Sequence, residues 1–313
     1  MPLVVNNTRY FYTINYTKFE ESLCKMEMKY LFNIVSEAKH FYTDIYVDPS
    51  RSPYIKQCLT IMYNSSSLND LVTQITNDNL FYEKFKVFYI NNDNEDIGFH
   101  ERRSIENTIG LNILGEAEMT SPEILLGVTN INGNWLLGKY EKNNSQWQSH
   151  NKKPNSYSNA LNIKVSRAIV NIAVSNNLKC SVVDPCCGIG TILIEAISQG
   201  IHIKGYEINA FIGGNAKKNL DYFGYEDVIT IADMNTITDK FDVAIVDLPY
   251  GLFSQVTLKQ QLSIINKTRI IANRMIIITL EDMEQHILLA GFNIVDRCHV
   301  LKGTFKRYIT ICT

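Results

Sequence analysis

The chain has 313 residues, 45% of them hydrophobic and 20% charged, with a formal net charge of −2. That length is long for one domain and comfortable for two, with apolar material for a core in each. Residues 1–150 sum to −5 and residues 151–313 to +3, so neither half is the strongly basic surface of a non-specific nucleic-acid binder. There is no apolar run of ~18 residues and no basic-plus-apolar start at Met1, which argues against membrane spanning and secretion. The seven cysteines lack paired metal spacing. They read as small buried hydrophobes of a reducing, cytoplasmic compartment, not as zinc ligands.

In chain order, Arg9–Tyr16 is aromatic-rich and strand-like. From Phe19 to Ala38, apolar residues recur at three and four, as in a helix. His40–Val47 reads as a strand, and Asp48-Pro49 with Ser52-Pro53 punctuates a turn. Tyr54–Tyr63 fits either a strand or a helix, Leu68–Ile75 a helix, and Phe85–Ile90 a strand. This alternation in a small unit suggests a ferredoxin-like α+β piece whose aromatics form its core. Asn91–Asp96 is a polar loop and Arg103–Gly110 a short helix. Ile124–Asn130 and Trp135–Tyr140 flank the Asn132-Gly133 turn as a hairpin. Glu141–Asn155 is polar and reads as an interdomain linker, dividing the chain into residues 1–150 and 151–313. The segment from Asn159 to Ala173 is an amphipathic helix.

Beyond Lys179 strands and helices alternate, with strands ending near Asp184, Glu207, Ala232, Asp247 and Leu280. Helices are predicted over 191–198, 210–223, 255–272 and 282–290, and Phe292–Val300 with Phe305–Ile311 closes the chain as a hairpin. The pattern implies an α/β fold with a parallel sheet and right-handed crossovers. Its organising stretch is Cys180-Ser-Val-Val-Asp-Pro-Cys-Cys-Gly-Ile-Gly-Thr191: a buried strand, a glycine turn, then a helix. Such a turn at a strand's carboxyl end is where α/β sheets bind nucleotides. The dinucleotide fingerprint wants a third glycine where Leu193 stands. Glu207 suits ribose hydroxyls in either a dinucleotide or an S-adenosylmethionine site. Asp247-Leu-Pro-Tyr-Gly251 decides between them, because an acid, a backbone carbonyl and an aromatic ring suit methylation of a planar amine.

Asp184-Pro-Cys-Cys-Gly-Ile-Gly-Thr191 and Asp247-Leu-Pro-Tyr-Gly251 resemble the cofactor and catalytic motifs of the THUMP-linked tRNA guanine-N2 methyltransferases. The order Arg103, Glu106, Gly115, Pro122, Trp135, Gly138 resembles the end of a THUMP RNA-binding module. The resemblance implies a Rossmann-like class I methyltransferase domain behind a smaller, THUMP-like RNA-binding region. S-adenosylmethionine would be the cofactor and tRNA the substrate, with no metal. Cofactor binding would fall to Asp184, Cys186, Gly188, Gly190, Thr191, Glu207, Asp233 and Met234. Asp184 would orient the turn and meet the methionine end, Glu207 the ribose, and Asp233 the adenine amine, with Met234 along the ring. Asp247 and the Leu248 carbonyl would each accept an N–H of the target amine, Pro249 would fix the loop, and Tyr250 would stack on the base. Leu248 stands where the family often has a second proline. Lys302, Thr304, Lys306 and Arg307 are candidate phosphate contacts. Two other readings stay open: an amino methyltransferase acting on adenine or on a protein glutamine amide, and an RNA-binding protein with an idle cofactor fold.

Overall fold

In chain order the elements are β1 (Tyr10–Ile14), α1 (Glu21–Phe32), β2 (His40–Thr43), β3 (Ile55–Ser65), α2 (Leu68–Asn77), β4 (Phe81–Tyr89), α3 (Phe99–Gly110) and β5 (Leu114–Ala117). Then come β6 (Ile124–Ile131), β7 (Asn134–Lys142), α4 (Ile163–Val174), β8 (Val182–Asp184), α5 (Thr191–Ile197), β9 (Ile203–Glu207), α6 (Ala210–Tyr222) and β10 (Ile229–Ile231). The chain finishes with β11 (Phe241–Asp247), α7 (Leu258–Ile271), β12 (Ala272–Thr279), α8 (Glu284–Leu289), β13 (Ile294–Lys302) and β14 (Phe305–Cys312). This computed structural model describes every residue except 1–7, 92–96, 158–159, 250–255 and 303–304.

Two compact units result. The first comprises residues 1–15, 36–50 and 54–144, and the second residues 16–35, 51–53 and 145–313. A single cut at residue 150 differs from this division, because α1 and residues 51–53 belong with the second unit.

The first unit is a mixed seven-stranded sheet in the order β2-β1-β3-β7-β6-β4-β5, larger than the ferredoxin-like piece expected. Leu71 and Ile75 of α2 and Ile105 and Ile109 of α3 form a core with Phe85, Val87, Leu126, Val128 and Leu137. Asn132 and Gly133 both adopt positive φ, as a two-residue hairpin between β6 and β7 requires.

The second unit is a seven-stranded sheet in the order β10-β9-β8-β11-β12-β14-β13. β10, β9, β8, β11 and β12 run parallel, and β14 is antiparallel to both β12 and β13. The hairpin expected at the end of the chain is therefore present, with its second strand inserted next to β12. Ala244, Val246 and Leu248 pack with Met275, Ile277, Ile265 of α7 and Ile287 of α8 in one core. α4 packs on α5, β11 and β12.

α1 buries Leu23, Cys24, Met26, Met28, Leu31 and Phe32, and packs on α4 and β13. It stops at Asn33, whose φ of 58° is left-handed, so the helix is shorter than the predicted 19–38. Glu27, on the buried face of the same helix, accepts hydrogen bonds from Ser52 Oγ (2.6 Å) and Asn171 Nδ2 (2.6 Å). Burial pushes this carboxyl up to about 7. The expected linker is partly internal to the fold: residues 146–152 form a 3-10 turn that buries Trp147 and His150. Glu195 of α5, fully buried, holds that turn through His150 Nδ1 (2.7 Å) and accepts from Arg167 Nη1 of α4 (2.9 Å).

No helix among the described residues is long and apolar enough to cross a membrane.

Candidate active site

β8 is three residues of continuous burial, Val182, Val183 and Asp184, and Pro185 ends its pairing. The chain then turns through Gly188 (φ 54°) and Gly190 (φ 79°), a conformation that costs other residues energy, and enters α5 at Thr191. Cys187 N donates to the Tyr206 carbonyl (2.9 Å) and Gly190 N to the Cys187 carbonyl (2.8 Å). The Glu207 carboxylate accepts from Gly188 N (3.0 Å) and, through its other oxygen, from Asn209 N (2.8 Å). Glu207 thus ties the glycine turn to the start of α6.

Asp184 is 2% exposed and accepts from Cys186 N at 3.2 Å. Burial raises its carboxyl well above the usual carboxylate range, the Cys186 amide opposes this, and Asp247 and Glu207 add to the rise. The same acids reach Cys186, whose thiol burial first and then Asp184, Glu207 and Asp247 push up, so it is held as a thiol rather than a reactive thiolate. Asp184, Glu207 and Asp247 therefore share one region. Among the described residues no lysine or arginine pairs with Asp184 or Glu207. Thr191 Oγ1 is buried beside the turn with no hydrogen-bond partner. Acidic groups without a cationic partner, a glycine turn and an orphaned hydroxyl suit a cationic ligand that also carries hydrogen-bonding groups, as S-adenosylmethionine does.

β11 delivers the second motif. It pairs in parallel with β8 (Ala244 opposite Val183) and with β12 up to Asp247, and Leu248 N extends the pairing to the Ile278 carbonyl (3.0 Å). Leu248 is 1% exposed, its side chain in the core, so only its backbone is left for the site. Gln261 Nε2 of α7 donates to the Pro249 carbonyl at 3.0 Å and holds that residue in place. α7 begins at Leu258 behind Thr257, whose capping box with Gln260 sets its start later than the predicted 255. Tyr250 lies outside the described residues.

The other expected site residues take the following places. Asp233 is exposed and caps the short turn after β10, accepting from Asn235 N (2.8 Å) and Nδ2 (2.9 Å). Met234 is 5% exposed, with its side chain in the core beside Val183 and Ala244. Arg307 is buried and Lys306 lies over the Tyr308 ring (4.7 Å), while Thr304 lies outside the described residues. No group of three His, Cys, Asp or Glu side chains among the described residues is arranged to hold a metal ion.

Three residues near the site carry no signal at their positions in the sequence: Gln261, Asn219 and Tyr157. Asn219 of α6, fully buried, donates to the carbonyls of Ile189 (2.9 Å) and Asn155 (3.0 Å). Tyr157 lies over the turn, where a Cβ on Gly188 would meet its hydroxyl at 2.7 Å.

The parallel sheet with its inserted antiparallel strand, the glycine turn after β8 and the acids at neighbouring strand ends define a Rossmann-like α/β domain. Residues 150–265 match the family described as UPF0020, the RMKL-like methyltransferase domain. The chain is 27% identical over 165 residues to a tRNA (guanine(10)-N2)-dimethyltransferase of Methanothermobacter thermautotrophicus, covering 49% of this chain and 48% of the relative. It is 26% identical over 164 residues to the enzyme of that name from Pyrococcus abyssi, covering 49% of each. The chain thus spans about half the length of the curated relatives it matches. Among solved structures, TrmN from Thermus thermophilus aligns with a TM-score of 0.49 at 14% identity, covering 97% of this chain and 99% of that one.

Proposed function

We propose that the protein transfers a methyl group from S-adenosylmethionine to the exocyclic N2 amine of a guanine in tRNA. The observation that carries this reading is the adjacency of two strand ends: Asp184 with its glycine turn after β8, and Asp247-Leu-Pro249 after the neighbouring β11. When bound, S-adenosylmethionine supplies a methyl group already activated on a sulfonium. Asp184, Glu207 and the Gly188–Gly190 turn would hold it. The target amine is a poor nucleophile, because its lone pair is delocalised into the purine. The Asp247 carboxylate and the Leu248 carbonyl can each accept one of its N–H groups. That draws the nitrogen towards tetrahedral geometry and turns its lone pair to the methyl-donor side. Tyr250 supplies a face for the base. The S–CH3 bond would break as the N–C bond forms, S-adenosylhomocysteine would leave, and the acidified N2 proton would pass to water, so positioning carries most of the rate and no strong general base is needed.

Support for tRNA comes from the two curated relatives, whose names give that substrate. A pocket for one base cannot hold a folded RNA, so the first unit is assigned the remaining RNA contacts, as a THUMP-like region would supply them. Methyl transfer from labelled S-adenosylmethionine to tRNA, to duplex DNA and to a glutamine-bearing peptide tests the substrate class. Label in tRNA alone is expected. Label in DNA or peptide and none in tRNA would overturn the reading, and no transfer to any of them would leave the idle-fold alternative standing.

A further inference from the structure

Residues 155–157 cross the glycine turn, and one buried side chain fixes them there. Asn219 Oδ1 accepts from Asn155 N (2.9 Å), while Asn219 Nδ2 donates to the Asn155 carbonyl (3.0 Å) and to the Ile189 carbonyl (2.9 Å). The amide of Asn219 therefore joins the crossing segment to the middle of the Gly188–Gly190 turn, from a position with no solvent exposure. Two residues on, Tyr157 is 47% exposed, yet its hydroxyl reaches down to Gly188, where an added Cβ would meet it at 2.7 Å. Glycine at 188 thus serves two ends: a positive φ and room for this phenol.

The chemistry around that hydroxyl narrows what it can do. Burial first, then Asp247, Glu207 and Asp184, push the phenol up to about 12, so it stays a neutral O–H donor across the physiological range. The three carboxylates favour cationic groups and repel an anion. S-adenosylmethionine carries both kinds, a sulfonium and an ammonium beside a carboxylate. Its carboxylate needs a neutral donor in this acidic region, and the Tyr157 hydroxyl over Gly188 is one. We propose that Tyr157, held over Gly188 by the Asn155–Asn219 clamp, is a cofactor-contacting residue whose hydroxyl donates a hydrogen bond to the carboxylate of the cofactor's amino-acid end. The assignment rests on the methyl-donor reading above and adds a residue from outside both sequence motifs.

The test uses two ligands and the full chain. Calorimetry measures binding of S-adenosylhomocysteine, which has the amino-acid end, and of methylthioadenosine, which lacks it. Tyr157→Phe keeps the ring and removes only the hydroxyl. It is expected to weaken S-adenosylhomocysteine about ten- to hundredfold, the range for a hydrogen bond to a charged group, and to leave methylthioadenosine within about twofold. Equal affinity for S-adenosylhomocysteine in wild type and Tyr157→Phe, or an equal loss for both ligands, would overturn the role of Tyr157 and leave the donor reading intact. Failure of the wild-type chain to bind either ligand would instead remove the donor reading and this proposal with it.

Discussion

Replacing Glu207 separates the two tasks the structure gives its carboxylate. One oxygen takes the Gly188 amide at 3.0 Å and the other the Asn209 amide at 2.8 Å, so the side chain is a brace between the glycine turn and α6. Each oxygen keeps a second lone pair for the ribose hydroxyls expected there. Hydrogen bonds to a charged acceptor are worth about 1.5–3 kcal/mol each. Glu207 is half-buried, and the amides freed in Glu207→Ala can take water, so the lower end applies to the brace. The two bonds together then cost about 3 kcal/mol of stability. Loss of the ribose acceptor costs a further ~1.5–3 kcal/mol of binding, about ten- to hundredfold in Kd. Glu207→Gln keeps one amide oxygen and should fall between wild type and alanine on both scales. Urea unfolding reads the first quantity and calorimetry with S-adenosylhomocysteine the second. A folded Glu207→Ala protein with wild-type affinity would refute the reasoning, because the carboxylate would then be a brace and nothing more.

Further predictions follow from the same geometry. Asp247→Ala should leave S-adenosylhomocysteine affinity within about twofold and lower single-turnover methylation by about a hundredfold or more. Asp247→Asn, which keeps an acceptor oxygen, should retain part of that rate, and full activity in Asp247→Ala would show that the loop only shapes the fold. Glu27 ties pH to stability: its folded pKa of about 7 lies above the unfolded value of 4.5, so the folded state holds the extra proton between them. Stability should therefore fall as pH rises through that window, by about 3 kcal/mol in all, and stay low above it. Glu27→Gln should flatten the curve in urea titrations from pH 4 to 8, whereas an unchanged slope would assign the pH dependence elsewhere. Deleting residues 1–150 removes α1 with its buried Leu23, Met26, Met28 and Leu31 from the second unit. Large-to-small changes at such positions cost about 2–5 kcal/mol each, so this truncation should lose its cooperative thermal transition, and a melt matching the full chain's would contradict the packing described.

The second unit was legible from residue 179 onward because β8, β11 and β12 contain apolar runs bounded by acids, glycines or prolines. Glycine and proline chemistry marks the turn at Gly188 and Gly190 and the ends of β8 and β11, although Glu207 and Asn219 hold that turn from other elements. β5 was not legible: Leu114–Ala117 is exposed throughout, has no alternation to read, and owes its extended form to pairing with β4. The segment from Tyr54 to Tyr63 was ambiguous by itself, and pairing with β1 on one side and β7 on the other settles it as β3. The turn at residues 146–152 looked like linker because its polar residues are satisfied from far away, His150 by Glu195 of α5. Around the site the motif positions could be read, but their supports could not. Asn219 and Gln261 act through side-chain amides on backbone carbonyls of other segments, and no periodicity encodes such a bond. Met234, read as a ligand contact from its place after an acid at a strand end, has its side chain in the core cluster of that unit.

The central claim concerns which atom receives the methyl group. tRNA incubated with the protein and S-adenosylmethionine, digested to nucleosides and resolved by mass spectrometry against standards, reports it directly. N2-methylated guanosine that appears with the wild-type chain and is absent with Asp247→Ala is the predicted result. Methylated adenosine in its place, or N2-methylated guanosine at equal yield with Asp247→Ala, would contradict the account.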